Sequence, residues 1–595
     1  MQYRRIKLRF RRRLRKGQQR VENISSQAEK HIDIHLFERF GSLTKVRRDI
    51  FSWLILMILI IGLLVAQNIS LSGYYQTVKT APGGIYREGV LGSFTNANPM
   101  FATSAADTTV AKLIFSGLMT FNGEGKLVGN LAKELKIDEK GATYTVTLKD
   151  NLKWHDGVPI TSADVAYTYK TIQNPDTESP FQNSWRDITV TTPDQKTVVF
   201  TLANPLASFK YYLTNGIVPQ HVLGSIAPAD LRSSDFNTLH PIGSGPFKFK
   251  AITIKGEKKE TAKEQIGLVP FAGYALGEPQ IDEFIVNVFA SEEELLNSFK
   301  DKQLNGMYGV DAIPKNIETS KSVIVNSLPL KAATMIFFKT TSSGPLSNTK
   351  IRNALTQATN NKQVVASLGY PSRAVNAPFL VGQVGYDAGS LQLGFNPENA
   401  KAILEAEGWK TGKNGIRYKD GKPLSIVISS ADSPEYSNVL KTVKKQWKKV
   451  GVDMQSRLES QADFQSTIAY HSYDAVLYGI TIGADPDVYV YWDSSQADIR
   501  SSNRLNLSEY KSPSADTSLE SGRTRMVSNV RAAKYKPFLK AWQQDSPAIA
   551  LYQPRLLYPT NGPIGNLPTA SLNSAVDRLS NVQEWQVRQA RVTNE

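Results

Sequence analysis

The chain has 595 residues, too many for one compact core, because single cores stop growing near about 250–300 residues; about two to four domains are expected. A formal charge of +16, from 70 Lys+Arg against 54 Asp+Glu, would suit a nucleic-acid binder. A hydrophobic fraction of 41% with eight Trp excludes a disordered chain, and the absence of Cys excludes disulfides, Cys-ligated metal sites, thiol catalysis and a lipidated-cysteine anchor.

The charge is concentrated at the start. Residues 1–50 hold 15 Lys+Arg and five acids, so this stretch carries +10 and the other 545 residues only +6. Within the basic tail, Ile32, Leu36, Phe40 and Leu43 recur at helical steps. They fit an amphipathic helix on the inner membrane face; a solvated tail that merely fixes topology fits equally. No nucleic-acid fold accompanies the charge, so nucleic acid is not expected as a partner.

No charged residue interrupts Ile50 through Tyr75. Residues 50–71 are expected to span the bilayer as a signal anchor, with the Arg47-Arg48 side cytoplasmic and everything after residue 72 exported. Trp53 and the pair Tyr74-Tyr75 suit the two interfaces. A signal peptide cleaved near Leu64-Val65-Ala66 is the competing reading, although the basic region before it is far longer than such peptides carry. Residues 72–84, with Gly73, Pro82, Gly83 and Gly84, read as a short stalk.

Beyond the stalk, strand and helix patterns are intermixed, which predicts a mixed α/β (α+β) fold. Tyr144–Leu148, Thr197–Leu202 and Ile281–Phe289 alternate like strands. Asp164–Ile172, Asn399–Glu407 and Ser437–Val450 read as helices, the last closed by Gly451. Residues 500–525 read as a polar, Ser-rich loop region.

The run Gly141 to Gly157 (Gly-Ala-Thr-Tyr-Thr-Val-Thr-Leu-Lys-Asp-Asn-Leu-Lys-Trp-His-Asp-Gly) followed by Pro159 to Val165 is a strand, a tight Asp156-Gly157 turn and a capped helix start at Thr161/Ser162. It resembles the signature of family 5 extracellular solute-binding proteins, the peptide- and nickel-binding receptors of bacterial ABC importers. Asn98-Pro99, Gly243-Ser244-Gly245-Pro246-Phe247, Glu407-Gly408-Trp409, Asp420-Gly421-Lys422-Pro423 and Asp485-Pro486-Asp487 continue the resemblance in consistent order across about residues 85–570.

The resemblance implies two lobes that close on a ligand, as periplasmic binding proteins do. Lobe one is expected from residues 85–120, 206–333 and 548–595, with an inserted subdomain at 121–205; lobe two is expected at 334–547. It also implies a membrane-tethered receptor delivering a peptide or related small solute to an ABC permease with its ATPase subunits. A surface signalling or adhesion protein that kept the fold, or a nickel or metal-chelate receptor, remain as alternatives. Peptide-binding relatives commonly place an Asp three residues before the Asp-Pro-Asp segment, where it pairs with the ligand's α-ammonium; here that position is Ile482. An isoleucine cannot neutralise an ammonium, which implies a ligand that is N-blocked, non-peptidic or differently oriented, unless Asp485 or Asp487 substitutes.

Thr481, Ile482, Asp485, Tyr489 and Trp492 around that segment are candidate ligand-binding residues, as are Phe94 and Asn96. At Phe337-Phe338-Lys339 the family usually has Asn after the aromatic pair, so Phe338 and Lys339 join the candidates, Lys339 for an anionic group. Core packing, or for Lys339 a surface position, competes at each. Trp154 reads as core. No nucleophile elbow, P-loop or His-Glu-x-x-His motif occurs, and the Asp485/Asp487/Asp493 spacing fails a calcium loop because Val490 and Gln496 stand at its sixth and twelfth positions. The expectation is therefore a non-enzyme with no cofactor and no metal.

Overall fold

A computed structural model describes residues 47–255, 263–310, 312–498, 500–501 and 504–593. The amphipathic pattern Ile32–Leu43 lies outside the described residues. The chain divides into two compact units, Thr80–Arg588 and a smaller one formed by the residues up to Lys79 with those from Gln589.

The smaller unit is dominated by the helix Arg47–Tyr75, which continues into the strand Gln76–Ala81, paired with Arg588–Thr593. Its segment Asp49–Gln67 has no buried residue; Phe51, Trp53, Ile58 and Leu63 are each about two-thirds exposed. A helix that is apolar on every face gains nothing from water. At 1.5 Å per residue the segment's 19 residues extend about 28 Å, close to the hydrocarbon thickness of a bilayer.

The large unit carries two main sheets. The first has seven strands in the order Val323–Pro329, Arg555–Asn561, Gly306–Tyr308, Ile85–Leu91, Glu283–Phe289, Lys263–Pro270 and Phe247–Lys255. The second has six: Arg373–Ala374, Ala548–Gln553, Ala332–Phe338, Ala475–Thr481, Ser425–Ala431 and Asp453–Glu459. Ala332–Phe338 is buried on both faces because helices cover both: Ile336 and Phe338 enter one apolar cluster, Ala333, Met335 and Phe337 another.

A four-stranded antiparallel sheet (Ala132–Ile137, Thr143–Leu148, Thr197–Leu202, Ile188–Asp194) falls within residues 121–205, the stretch expected as an inserted subdomain. Tyr144, Val146 and Leu148 point inward while the intervening threonines stay half-exposed, and they share one continuous core with the seven-stranded lobe. Trp154 lies fully buried in that core. Asp164 accepts the Thr161 N–H at 2.9 Å and closes a capping box at the start of the helix Ser162–Gln173.

The helices Pro397–Ala406 and Pro434–Lys448 fall where the pattern places them. The stretch read as loop contains a helix instead, Pro513–Arg523, capped by Ser512. Its buried stripe, Ala515, Ser518, Leu519 and Gly522, keeps helical spacing but includes only one large apolar residue, which hides the period.

The chain passes between the sheets twice. It leaves the first sheet at Pro329 and enters the second at Ala332, and it returns between Gln553 and Arg555 through Pro554. The crossing segments are bonded to each other: Leu330 N–H donates to the Pro554 carbonyl at 3.0 Å, and Gln553 Nε2 to the Leu330 carbonyl at 2.7 Å. The strand Ala548–Gln553, expected to resume lobe one, pairs with Ala332–Phe338 in the second sheet, so the return falls at Pro554.

Candidate functional site

Helix and loop residues packed around the first sheet, the end of the strand Ala475–Thr481 with the loop after it, and Phe181 and Trp185 line a cavity of about 600 Å³. That size is typical of pockets that bury most of a small ligand.

Lobe one supplies the helix Ala105–Ile114. Ser104 Oγ caps it by accepting the Asp107 N–H at 3.0 Å, and Thr108, Ala111 and Lys112, at helical spacing, face the cavity. Behind Lys112 the backbones of Gly117 and Gly216 pair directly. A Cβ on Gly117 would sit 2.6 Å from the Thr214 carbonyl oxygen, so only glycine fits there. Phe121 and Tyr211, stacked with centroids 6.0 Å apart, form an aromatic wall, and Trp185 and Phe181 from the subdomain extend it.

Lobe two supplies the loop that follows the strand Ala475–Thr481. Its position is fixed at the crossing, where the Lys331 carbonyl accepts both the Ile482 and the Gly483 N–H at 2.9 Å. Gly483 has φ +77°, and the chain then presents Ala484, Asp485 and Asp487 to the cavity.

Both acids are committed to arginines. Arg531 grips Asp485 with two hydrogen bonds of 2.7 and 2.6 Å, and both side chains are buried. Asp487 Oδ2 accepts from Arg523 at 2.9 Å and from Ser208 Oγ of lobe one at 3.1 Å, while its Oδ1 is buried without a partner. Arg523 in turn lies over the Tyr489 ring, 4.3 Å from its centroid. Lys112 is different. Burial lowers its pKa below the ordinary lysine value, with Asp577 acting in the opposite sense, and its nearest recorded hydrogen-bond acceptor is Thr120 Oγ1 at 3.4 Å.

Of the sequence candidates, the structure brings Thr481, Ile482 and Asp485 together on the cavity wall. The other six do not line it. Phe94 is buried, with its N–H on Glu264; Asn96 is buried and accepts the Asn98 N–H at 2.8 Å, shaping the loop before the helix. Phe338 is buried in lobe two, 6.4 Å from Trp447 between ring centroids. Lys339 Nζ donates to the His471 carbonyl at 2.9 Å. Trp492 is fully buried and stacked on Phe337, and Tyr489 lies beneath Arg523 beside the cavity.

Sequence reasoning missed Lys112, Ser208, Tyr211, Arg523 and Asp577. The first had a visible signal: it is the only cation in Ala105–Ile114, flanked by Val110, Ala111, Leu113 and Ile114.

A family model described as bacterial extracellular solute-binding proteins, family 5 Middle, matches residues 126–501. The oligopeptide-binding protein AppA of Bacillus subtilis is 26% identical over 490 residues, covering 80% of this chain and 87% of the relative. Protein XP55 of Streptomyces lividans is 28% identical over 440 residues, with 73% and 77% covered. Among solved structures, NikZ from Campylobacter jejuni in complex with Ni(L-His) superposes with TM-score 0.69 at 23% identity, covering 84% of this chain and 99% of its own. CtaP from Listeria monocytogenes superposes with TM-score 0.73 at 20% identity, covering 85% and 100%.

Proposed function

The chain belongs to the bacterial extracellular solute-binding proteins of family 5, and on that premise we propose how this member works. It is a receptor that takes a short peptide or related small solute between its lobes. It is held to the cell membrane by its N-terminal helix, with the basic tail cytoplasmic, and it delivers the solute to an ABC permease and its ATPase. It acts by capture and release, without catalysis.

The observation that carries this reading is the cavity walled by both lobes, at the side of a two-segment crossing. Two short segments can absorb a hinge rotation while each sheet moves as a rigid body. Closing enwraps a ligand, and opening frees it towards a permease.

The apolar segment Asp49–Gln67, with no buried residue, supports the tether. Holding the receptor near the permease raises its effective concentration there. Ile482 on the cavity wall, with Asp485 and Asp487 both bound to arginines, supports a ligand that needs no free α-ammonium.

The full chain is to be expressed, fractionated, and titrated in lipid nanodiscs with randomised short peptides, free or N-acetylated. The expected result is retention of the intact chain in the membrane fraction and a raised melting temperature with both peptide forms. A soluble product beginning near Gln67 would refute the tether, and stabilisation by neither form would refute the peptide ligand. Dependence on the free amine would refute the missing-anchor reading alone.

A further inference from the structure

Five charged side chains line the cavity: Lys112, Asp485, Asp487, Arg523 and Asp577. Asp485 is closed by Arg531 and Asp487 by Arg523, so each acid has its own cation. Asp577 is occupied locally. Its Oδ2 accepts the Ser574 N–H at 3.0 Å and the Ser574 hydroxyl at 3.1 Å, capping the turn Ala575–Leu579, and Ser580 Oγ donates to its Oδ1 at 3.5 Å.

Lys112 forms no ion pair among the described residues. Asp577 is the acid whose field reaches it, and the same acid also offsets Lys331, whose Nζ stands 5.7 Å from the centroid of the Phe121 ring. Lys331 does not itself line the cavity, but beside Phe121 it adds to the positive charge near this wall, where one committed aspartate stands against two lysines. For both lysines, burial makes the charged form more costly than it is in water. A half-buried cation lining a cavity, without a carboxylate in contact, is completed by an anion.

We propose that the solute carries a carboxylate that seats against Lys112 Nζ, with Lys331 adding a second positive field from behind Phe121. The site thus reads the acidic end of its ligand on lobe one, while Ile482 on lobe two asks nothing of an amine. Lys339, the cation that the sequence suggests for this task, spends its ammonium on the His471 carbonyl. This inference rests on the cavity being the solute site.

The test uses the full chain in lipid nanodiscs and two randomised tripeptide mixtures. Each is supplied in free-amine and N-acetylated form, and the two differ only in ending as carboxylate or carboxamide. Tryptophan fluorescence titration is expected to show the carboxylate mixture binding at least tenfold tighter than the carboxamide. Lys112→Gln is expected to bring the two within about twofold, with a cooperative thermal transition showing that the variant is folded. Lys112→Arg is expected to keep the preference.

Equal binding in the parent protein, a preference that survives Lys112→Gln, or one lost in both variants overturns the carboxylate assignment and leaves the solute-site reading standing. Binding of neither mixture in any form overturns that reading, and this inference with it.

Discussion

Replacing Asp485 by Asn separates two roles that the sequence alone left open for this residue. If the carboxylate stands in for the absent amine anchor, the loss falls on ligands with a free ammonium. If it serves Arg531, the loss falls on the fold. The geometry favours the second. Arg531 projects from the helix Ser528–Asp545, is 5% exposed, and gives Asp485 two short hydrogen bonds while its Nε donates to the Gly522 carbonyl at 3.0 Å.

Asn keeps the shape and removes the charge, leaving a guanidinium buried without its counter-ion. Breaking a buried pair from one side costs about 3–5 kcal/mol. That is a large fraction of a typical domain's stability of about 5–15 kcal/mol. Urea unfolding followed by tryptophan fluorescence is expected to show that loss in Asp485→Asn. A companion double variant, Asp485→Leu with Arg531→Met, should recover part of it, because an apolar pair needs no compensation. Titration with free and N-acetylated peptides should show both weakened to a similar extent. Asp485→Asn that unfolds like the parent, yet loses only the free-amine ligands, would refute the reasoning and return the amine anchor to Asp485.

Two further outcomes follow from the fold. Burial lowers the His155 pKa from its ordinary value to about 4; the Gly245 carbonyl, 3.1 Å from Nε2, opposes the shift and the Lys248 ammonium adds to it. The unfolded chain therefore binds more protons between about pH 6.5 and 4. Stability present above that window falls on acidification through it, by up to about 3 kcal/mol. Urea midpoints across that range should decline less steeply in His155→Gln, and identical slopes would count against the assignment. Gly117→Ala places a Cβ 2.6 Å from the Thr214 carbonyl on the cavity wall, and overpacking of this kind costs about 1–3 kcal/mol. Lower urea midpoints with weaker peptide binding are expected, and a neutral substitution would show that the backbone there can yield.

What was legible in the sequence was what has a period or a local rule. Thr143–Leu148 and Thr197–Leu202 alternate because one face of their sheet meets the core, and Thr161 with Asp164 announces a helix start in three residues. The helix Pro513–Arg523 escaped because only Leu519 in its buried stripe is a large apolar residue. The passage at Pro554 escaped because Ala548–Gln553 and Arg555–Asn561 are both apolar strands, and only pairing shows that they belong to different sheets.

The site divides along the same line. Thr481, Ile482 and Asp485 were reachable because they sit beside a motif, and the loop's geometry is local to Gly483. The charge balance of the cavity was not, since each acid's partner lies far along the chain: Arg531 is 46 residues from Asp485 and Arg523 is 36 from Asp487. In a list of residues, Asp485 and Asp487 look like two free anions beside a ligand. Folded, they are two neutral pairs, and the unmatched charge moves to Lys112, more than 370 residues upstream. The charge the site offers a ligand therefore differs between sequence and structure, from two apparently free carboxylates to a cation left to be met.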